Sequence, residues 1–233
     1  MLTEDVFGNG DFVYRADDAS AAVPADIEFG EAVGIAVDSR QRLFVFNRGG
    51  TEPVMVFDQE GNFEKMWGAG QFVRPHGIFI GPDDSVYLTD DQGHTVRKYT
   101  TDGQLLMTLG THGVPSNTGV ENSNYRTIQH PGPPFNLPTN LAVAPDGSLY
   151  VSDGYGNCCI HRFSPDGDLL HSWGSSGIEL GAFQIPHGIG VDQSGCVVVA
   201  DRENSRLQWF TPDGEFIEQW TDTARPCNVY FDE

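Results

Sequence analysis

The stretch Pro75-His76-Gly77-Ile78-Phe79-Ile80-Gly81-Pro82-Asp83-Asp84-Ser85-Val86-Tyr87-Leu88-Thr89-Asp90-Asp91 reads as a strand, a turn and a second strand that ends in carboxylates. Its opening recurs as Pro186-His187-Gly188-Ile189. Five segments share the first-strand pattern: Val33 to Val37, His76 to Ile80, Thr139 to Val143, His187 to Val191 and Cys227 to Phe231. Second strands begin at Leu43, Val86, Leu149 and Val197. Third strands begin at Pro53, Thr95, Cys159 and Arg206, and fourth strands at Phe63, Leu105, Leu169 and Phe216. The repeat is about 40 residues long, a length typical of four-stranded units that stack on one another.

Short alternating strands, four to a repeat and punctuated by Asp-Gly turns, predict an all-β propeller. Asp102-Gly103, Asp166-Gly167 and Asp213-Gly214 separate third from fourth strands, and Asp146-Gly147 separates a first strand from a second. The glycine supplies the positive φ that a tight hairpin needs. Four repeats are complete, and the fifth stops inside its first strand at Tyr230-Phe231-Asp232-Glu233. Asp11-Phe12-Val13-Tyr14 is expected to be a lone outer strand that latches the last blade. Residues 1–233 then form one incomplete propeller domain, about four blades plus flanking strands. An open ring would expose two apolar sheet faces. The chain is therefore expected to be a piece of a longer reading frame, or else a short propeller or one closed by a second subunit.

The composition agrees, with 28 Gly and 14 Pro and no apolar run long enough to span a bilayer. The 13 Lys and Arg against 33 Asp and Glu give a net charge of −20. That balance argues against nucleic acid and anionic membranes as partners, because both are gripped by basic patches. Cys158, Cys159, Cys196 and Cys227 have neither zinc-knuckle nor disulfide-framework spacing. Cys158 and Cys159 should point to opposite faces of a strand. Met1 to Gly10 does not resemble a signal peptide, which leans the expected compartment toward the cytoplasm.

Strand alternation sets which residues share a face. Loops entering first strands and loops leaving second strands lie on one end of the blades. His76 and His187 enter first strands, and Arg48, Asp90, Tyr155 and Arg202 leave second strands, so all six should converge. A histidine beside a strand is commonly structural, but the same slot holds Val33, Thr139 and Cys227 in the other repeats. The fold therefore does not require it. In a six-bladed ring, blades two and four stand a third of a turn apart, and a ligand from blade six would complete a histidine cup. Three neutral imidazoles with an open position is the arrangement of a catalytic zinc site. His94, His112, His130, His161 and His171 occupy other slots and read as surface or loop residues. Asp90 and Asp91 read as carboxylates that cap backbone N–H groups.

The runs DGYGN (Asp153 to Asn157), IPHGI (Ile185 to Ile189), VADRENSRLQWF (Val199 to Phe210), FNRG (Phe46 to Gly49) and RPHGI (Arg74 to Ile78) resemble those of peptidyl-α-hydroxyglycine α-amidating lyase. The resemblance extends from about Gly34 to Phe210 and implies a six-bladed propeller of NHL type. It implies a zinc on His76 and His187, with a third histidine in a late Pro-His-Asp motif that this chain does not reach. It also implies a catalytic Tyr155, with Arg48 and Arg202 facing the substrate. A structural calcium in that family takes backbone carbonyls at the positions of Ile35 and Ile78, and its aspartate is likewise beyond this chain.

The implied reaction splits an N-acyl α-hydroxyglycine into an amide and glyoxylate. A phenol is a poor base at neutral pH unless a guanidinium favours its phenolate. The expected roles are Tyr155 as base, Arg48 as its activator and Arg202 as clamp on the substrate carboxylate, the last two being interchangeable. Each has a plainer reading: Tyr155 as a packed rim aromatic, Arg202 as the partner of Glu203, Arg48 as a turn residue. Gly156, Val198 and Trp209 stand where the animal lyases carry disulfide cysteines, which argues against a secreted, peptide-hormone role. The polar loop 111–134 should enter on the site face and act as a lid or binding loop. The substrate class is a small carboxylated amide or peptide. The competing class is a non-catalytic NHL propeller that binds a protein partner. A lactonase-like propeller is disfavoured, since no Glu/Asn/Asp calcium cup is visible.

Overall fold

A computed structural model describes residues 6–15 and 21–231 of the chain. Four four-stranded antiparallel sheets follow one another along it, each with its strands in chain order. Blade one holds β3 (Glu31–Val37), β4 (Leu43–Arg48), β5 (Val54–Phe57) and β6 (Phe63–Trp67). Blade two holds β7 (Pro75–Ile80), β8 (Val86–Asp90), β9 (Thr95–Tyr99) and β10 (Leu105–Gly110). Blade three holds β11 (Pro138–Val143), β12 (Leu149–Asp153), β13 (Cys159–Phe163) and β14 (Leu169–Trp173). Blade four holds β15 (Pro186–Val191), β16 (Val197–Asp201), β17 (Arg206–Phe210) and β18 (Phe216–Trp220). The glycines of the Asp-Gly turns, Gly103, Gly147, Gly167 and Gly214, all have φ between 83° and 93°.

Burial falls from hub to rim. The second strands β8, β12 and β16 are buried at every position, whereas most of β10, β14 and β18 faces solvent. A strand covered on both faces by neighbouring blades can be apolar throughout. The cores accordingly lie between blades. Phe46, Val54 and Trp67 pack against Val86, Leu88 and Tyr99; Tyr87 and Leu109 pack against Leu141 and Val151; Tyr150 and Ile160 pack against Val197 and Phe210.

The first strands β3, β7, β11 and β15 stand side by side at the hub. Each pairs with its second strand out of register near its start: at Ala32/Gly34, Pro75/Gly77, Pro138/Asn140 and Pro186/Ile189. Val33, His76, Thr139 and His187 sit in these bulges. A bulge re-aims the side chain it carries. The glycine after each histidine answers a different demand, close approach of backbones. A Cβ on Gly77 would lie 2.7 Å from the Thr139 carbonyl oxygen, and one on Gly188 would lie 2.4 Å from Asn228 Cα.

The carboxylates at the ends of the second strands are fully buried and cap the segment entering their own blade. Asp90 accepts from the Val73 and Arg74 N–H groups, Asp153 from Asn136 and Asp201 from Gln184. Asp91 accepts from the Gln92 N–H and carries an ion pair with Arg74.

Four expectations are revised. The segment expected to latch the last blade is β2 (Phe12–Arg15), and it pairs with β1 (Val6–Asn9) in a separate hairpin. Gly10, at φ 60°, permits the tight turn, so the pairing nearest in sequence forms. Cys227 to Phe231 is not a ladder strand, though it runs along β15 where a fifth first strand would lie. Asp232 and Glu233 are outside the described residues, as are Met1 to Asp5. His161 is not a surface residue: it is 1% exposed, inside blade three. Finally, the loop 111–134 has structure of its own, with a 3₁₀ turn at Tyr125–Thr127 capped by the Asn124 side chain. It is tied down beside Tyr155, where the Thr118 hydroxyl donates to the Gly156 carbonyl at 2.6 Å and Gly132 exchanges hydrogen bonds with the Asn157 amide.

Candidate metal and substrate site

The loop leaving each second strand is pinned to the residue ahead of the first strand. The Asp91, Tyr155 and Arg202 N–H groups donate to the carbonyls of Arg74, Leu137 and Ile185. Tyr155 and Arg202 are thus anchored in the same way in blades three and four, Arg202 on the blade whose bulge carries His187 and Tyr155 on the blade between the two histidines.

The two imidazoles are held in the same way. His76 Nδ1 lies 2.7 Å from the Thr139 carbonyl, and His187 Nδ1 lies 2.6 Å from the Cys227 carbonyl. A carbonyl can only accept, so both Nδ1 atoms carry the proton and both Nε2 atoms present a lone pair. Those lone pairs meet at one point. The Tyr155 hydroxyl is 3.1 Å from His76 Nε2 and 2.9 Å from His187 Nε2, and the two rings are 5.0 Å apart.

Burial first, then the charges of Arg48, Arg74 and Arg202, push the His76 imidazole down to about 4. Burial and then His76 do the same for His187, also to about 4. Both are neutral near pH 7. A phenol has one proton to donate, so one of the two Nε2 atoms faces oxygen with no hydrogen between them. A divalent cation relieves such a surplus of lone pairs. The fixed Nδ1–H bonds are also the outer-shell partners that metal-ligating histidines ordinarily have. The donor set therefore fits a metal of the zinc class at His76 and His187.

The two arginines, whose roles the sequence leaves interchangeable, take up different places. Arg202 Nη1 donates to the Tyr155 oxygen at 3.3 Å, and its guanidinium lies 5.3 Å from the ring centre, while its Nε reaches Glu203 at 3.1 Å. Arg48 turns to the hub, its Nε donating to the Pro75 carbonyl at 2.7 Å and its Nη1 lying 3.7 Å from exposed Glu31. Arg74, to which the sequence reading gave no role, stands 5.8 Å from the Tyr155 ring. Its position just ahead of Pro75-His76 was the available signal. Asp90 sits beneath the rim as a cap rather than in the site. Ile35 and Ile78 lie on adjacent first strands, which touch where a Cβ on Gly34 would come within 2.8 Å of Ile78 Cγ2.

A neutral imidazole pair, a phenol and several guanidiniums on the rim of stacked four-stranded blades define a class of protein. The NHL repeat family model matches residues 135–163 and 183–210, which lie in blades three and four. The chain is a β-propeller of NHL-repeat type.

Its relatives include human NHL repeat-containing protein 3, 34% identical over 200 residues, covering 81% of this chain and 54% of that protein. Peptidyl-alpha-hydroxyglycine alpha-amidating lyase 1 of Drosophila melanogaster is 34% identical over 173 residues, covering 69% of this chain and 29% of that protein. The chain thus spans about half the length of the first of these relatives and less of the second. Among solved structures, the Xanthomonas campestris gluconolactonase XC5397 superposes with a TM-score of 0.63 at 20% identity, over 95% of this chain and 69% of that one. A streptogramin B lyase gives 0.61 at 17% identity, over 93% and 61%. These two share the fold. No helix among the described residues is long and apolar enough to cross a membrane.

Proposed function

We propose that this chain carries the site of a metal-dependent lyase that cleaves an N-acyl α-hydroxyglycine, or a close relative, into an amide and glyoxylate. The observation that carries the reading is the meeting of His76 Nε2, His187 Nε2 and the Tyr155 hydroxyl within hydrogen-bond reach. The lyase relatives support it in a second, independent way.

His76 and His187 would hold the metal through Nε2, and a bound divalent cation lowers the pKa of an oxygen it polarises. The chain's own residues do the rest. Arg202 donates to the Tyr155 oxygen and would hold it in place as Tyr155 takes the hydroxyl proton of the substrate. The hydroxyl oxygen then forms the aldehyde C=O of glyoxylate as the C–N bond breaks. The bonding pair leaves on nitrogen, which gains a proton and becomes the amide. Arg48 and Arg74 flank the imidazoles and would grip the substrate carboxylate. Arg202, at the phenol, takes the activating role and Arg48 the clamping one. The loop tied beside Tyr155 would set which acyl groups are admitted.

The test is metal content. The purified protein is expected to retain about one divalent ion per chain at this site, and His76→Ala with His187→Ala is expected to release it. A wild-type protein that binds no divalent metal, yet is folded, would leave the partner-binding propeller as the better account.

A further inference from the structure

Blade three breaks a rule of charge balance that blade four keeps. In blade four, the buried Asp201 carboxylate meets the Arg206 guanidinium at 2.7 Å and the Gln208 amide at 3.2 Å. The register makes the corresponding residues of blade three unambiguous. Asp201 pairs with Arg206 and Val199 with Gln208, while Asp153 pairs with Cys159 and Val151 with His161. Asn157 bonds Asp153 as Asn204 bonds Asp201, at 2.7 and 2.8 Å. The guanidinium of blade four is thus replaced in blade three by a thiol, and the amide by an imidazole.

Asp153, Cys159 and His161 are each no more than 1% exposed. The groups bonded to Asp153 Oδ2 are the Asn136 N–H, the Asn157 amide and His161 Nε2, none of them a permanent cation. Its other oxygen, Oδ1, is buried with no hydrogen-bond partner. A buried carboxylate that has one oxygen unpartnered and no cation beside it is costly, and a cation on its Oδ2 side would neutralise it.

We infer that Asp153, Cys159 and His161 form a second metal site, for a borderline divalent cation of the zinc class, separate from the imidazole pair at the rim. Cys159 Sγ and Asp153 Oδ2 each lie 3.4 Å from His161 Nε2, and the three ligand atoms are within 4.8 Å of one another. Tetrahedral zinc, with bonds of about 2.0 Å to nitrogen or oxygen and about 2.3 Å to sulfur, sets its ligand atoms about 3.3–3.5 Å apart. His161 Nδ1 is held by the Ser172 hydroxyl at 2.8 Å, which fixes the ring with Nε2 turned toward Cys159 and Asp153. A thiolate and a carboxylate neutralise a divalent cation as Asp201 neutralises Arg206. The cation would take the place of the thiol proton. The ion would pin β12 to β13 just below the Tyr155 loop, under the Gly132 anchor of the inserted loop.

Cobalt substitution separates this site from the rim, because only this one offers sulfur. Apo protein titrated with Co²⁺ is expected to develop a near-ultraviolet sulfur-to-cobalt charge-transfer band, saturating at about one equivalent. The band should persist in His76→Ala/His187→Ala and vanish in Cys159→Ser. A double variant, Cys159→Arg with His161→Gln, copies blade four and should fold without the band. A wild-type protein that shows no such band, or a band that survives Cys159→Ser, overturns the inference.

Discussion

Replacing Gly77 by alanine tests how the hub positions the imidazoles. The new methyl would lie 2.7 Å from the Thr139 carbonyl oxygen and 2.7 Å from Asn140 Oδ1. Ordinary contact is about 3.5 Å or more, so something must move by the better part of an ångström. The Asn140 side chain can turn away, but the Thr139 backbone is held. Its hydroxyl, with one proton to donate, lies 2.9 and 3.0 Å from the Pro186 and Ser152 carbonyl oxygens. Overpacking of this kind costs about 1–3 kcal/mol. With about 2–4 °C per kcal/mol for a domain of this size, Tm should fall by about 4–8 °C for a mid-range cost. The same carbonyl orients His76, so metal affinity should weaken by about 10-fold or more. Thermal melts of the apo protein and metal titration read the two effects separately. Gly188→Ala faces the segment at Asn228, which is not laddered, and should cost less. If Gly77→Ala changed neither Tm nor metal affinity, β7 and β11 would not meet as described.

Arg206→Met leaves the buried Asp201 carboxylate without its guanidinium, and should destabilise the fold by about 3–5 kcal/mol in urea titrations. In metal-free protein both site imidazoles should titrate at about 4 by NMR. Because their folded values lie below the ordinary 6.5, the unfolded chain binds more protons between pH 6.5 and 4. Stability should therefore be full above 6.5 and decline as pH falls through that window, by up to about 1.4 kcal/mol per unit for each histidine. Burial raises Cys158 to about 12 and holds Cys159 well above the ordinary thiol value, whereas Cys227 is exposed and Cys196 half-buried. Two thiols should react promptly with a thiol reagent, and two only after unfolding.

The propeller was legible because the repeats restate it: strand alternation recurs in all four, and a carboxylate ends the second strand in three of them, at Asp90, Asp153 and Asp201, though each sign alone would be ambiguous. Convergence of His76, His187, Tyr155 and Arg202 followed from strand parity, which fixes the end of a blade but not which side chains touch. That is why Arg48 and Arg202 could not be told apart in advance. Their separation depends on Arg48 reaching the Pro75 carbonyl, a hub contact 27 positions away in the chain. His161 was misread because it is enclosed by Phe135, in the segment entering the blade, and by Asp153 and Ser172 on the flanking strands, which its place in its own strand does not reveal. The hairpin at Val6–Arg15 was misread because latching was expected from the ring, while Gly10 made the local partner available.

Turnover tests the central claim most directly. Metal-loaded protein is incubated with an N-acyl α-hydroxyglycine, and glyoxylate and amide are measured together. Equimolar release is expected of the wild type, and a loss of about 10²-fold or more in Tyr155→Phe, the usual cost of removing a general base. A fully metal-loaded wild type that releases no glyoxylate, or a Tyr155→Phe protein that matches the wild type, would contradict it.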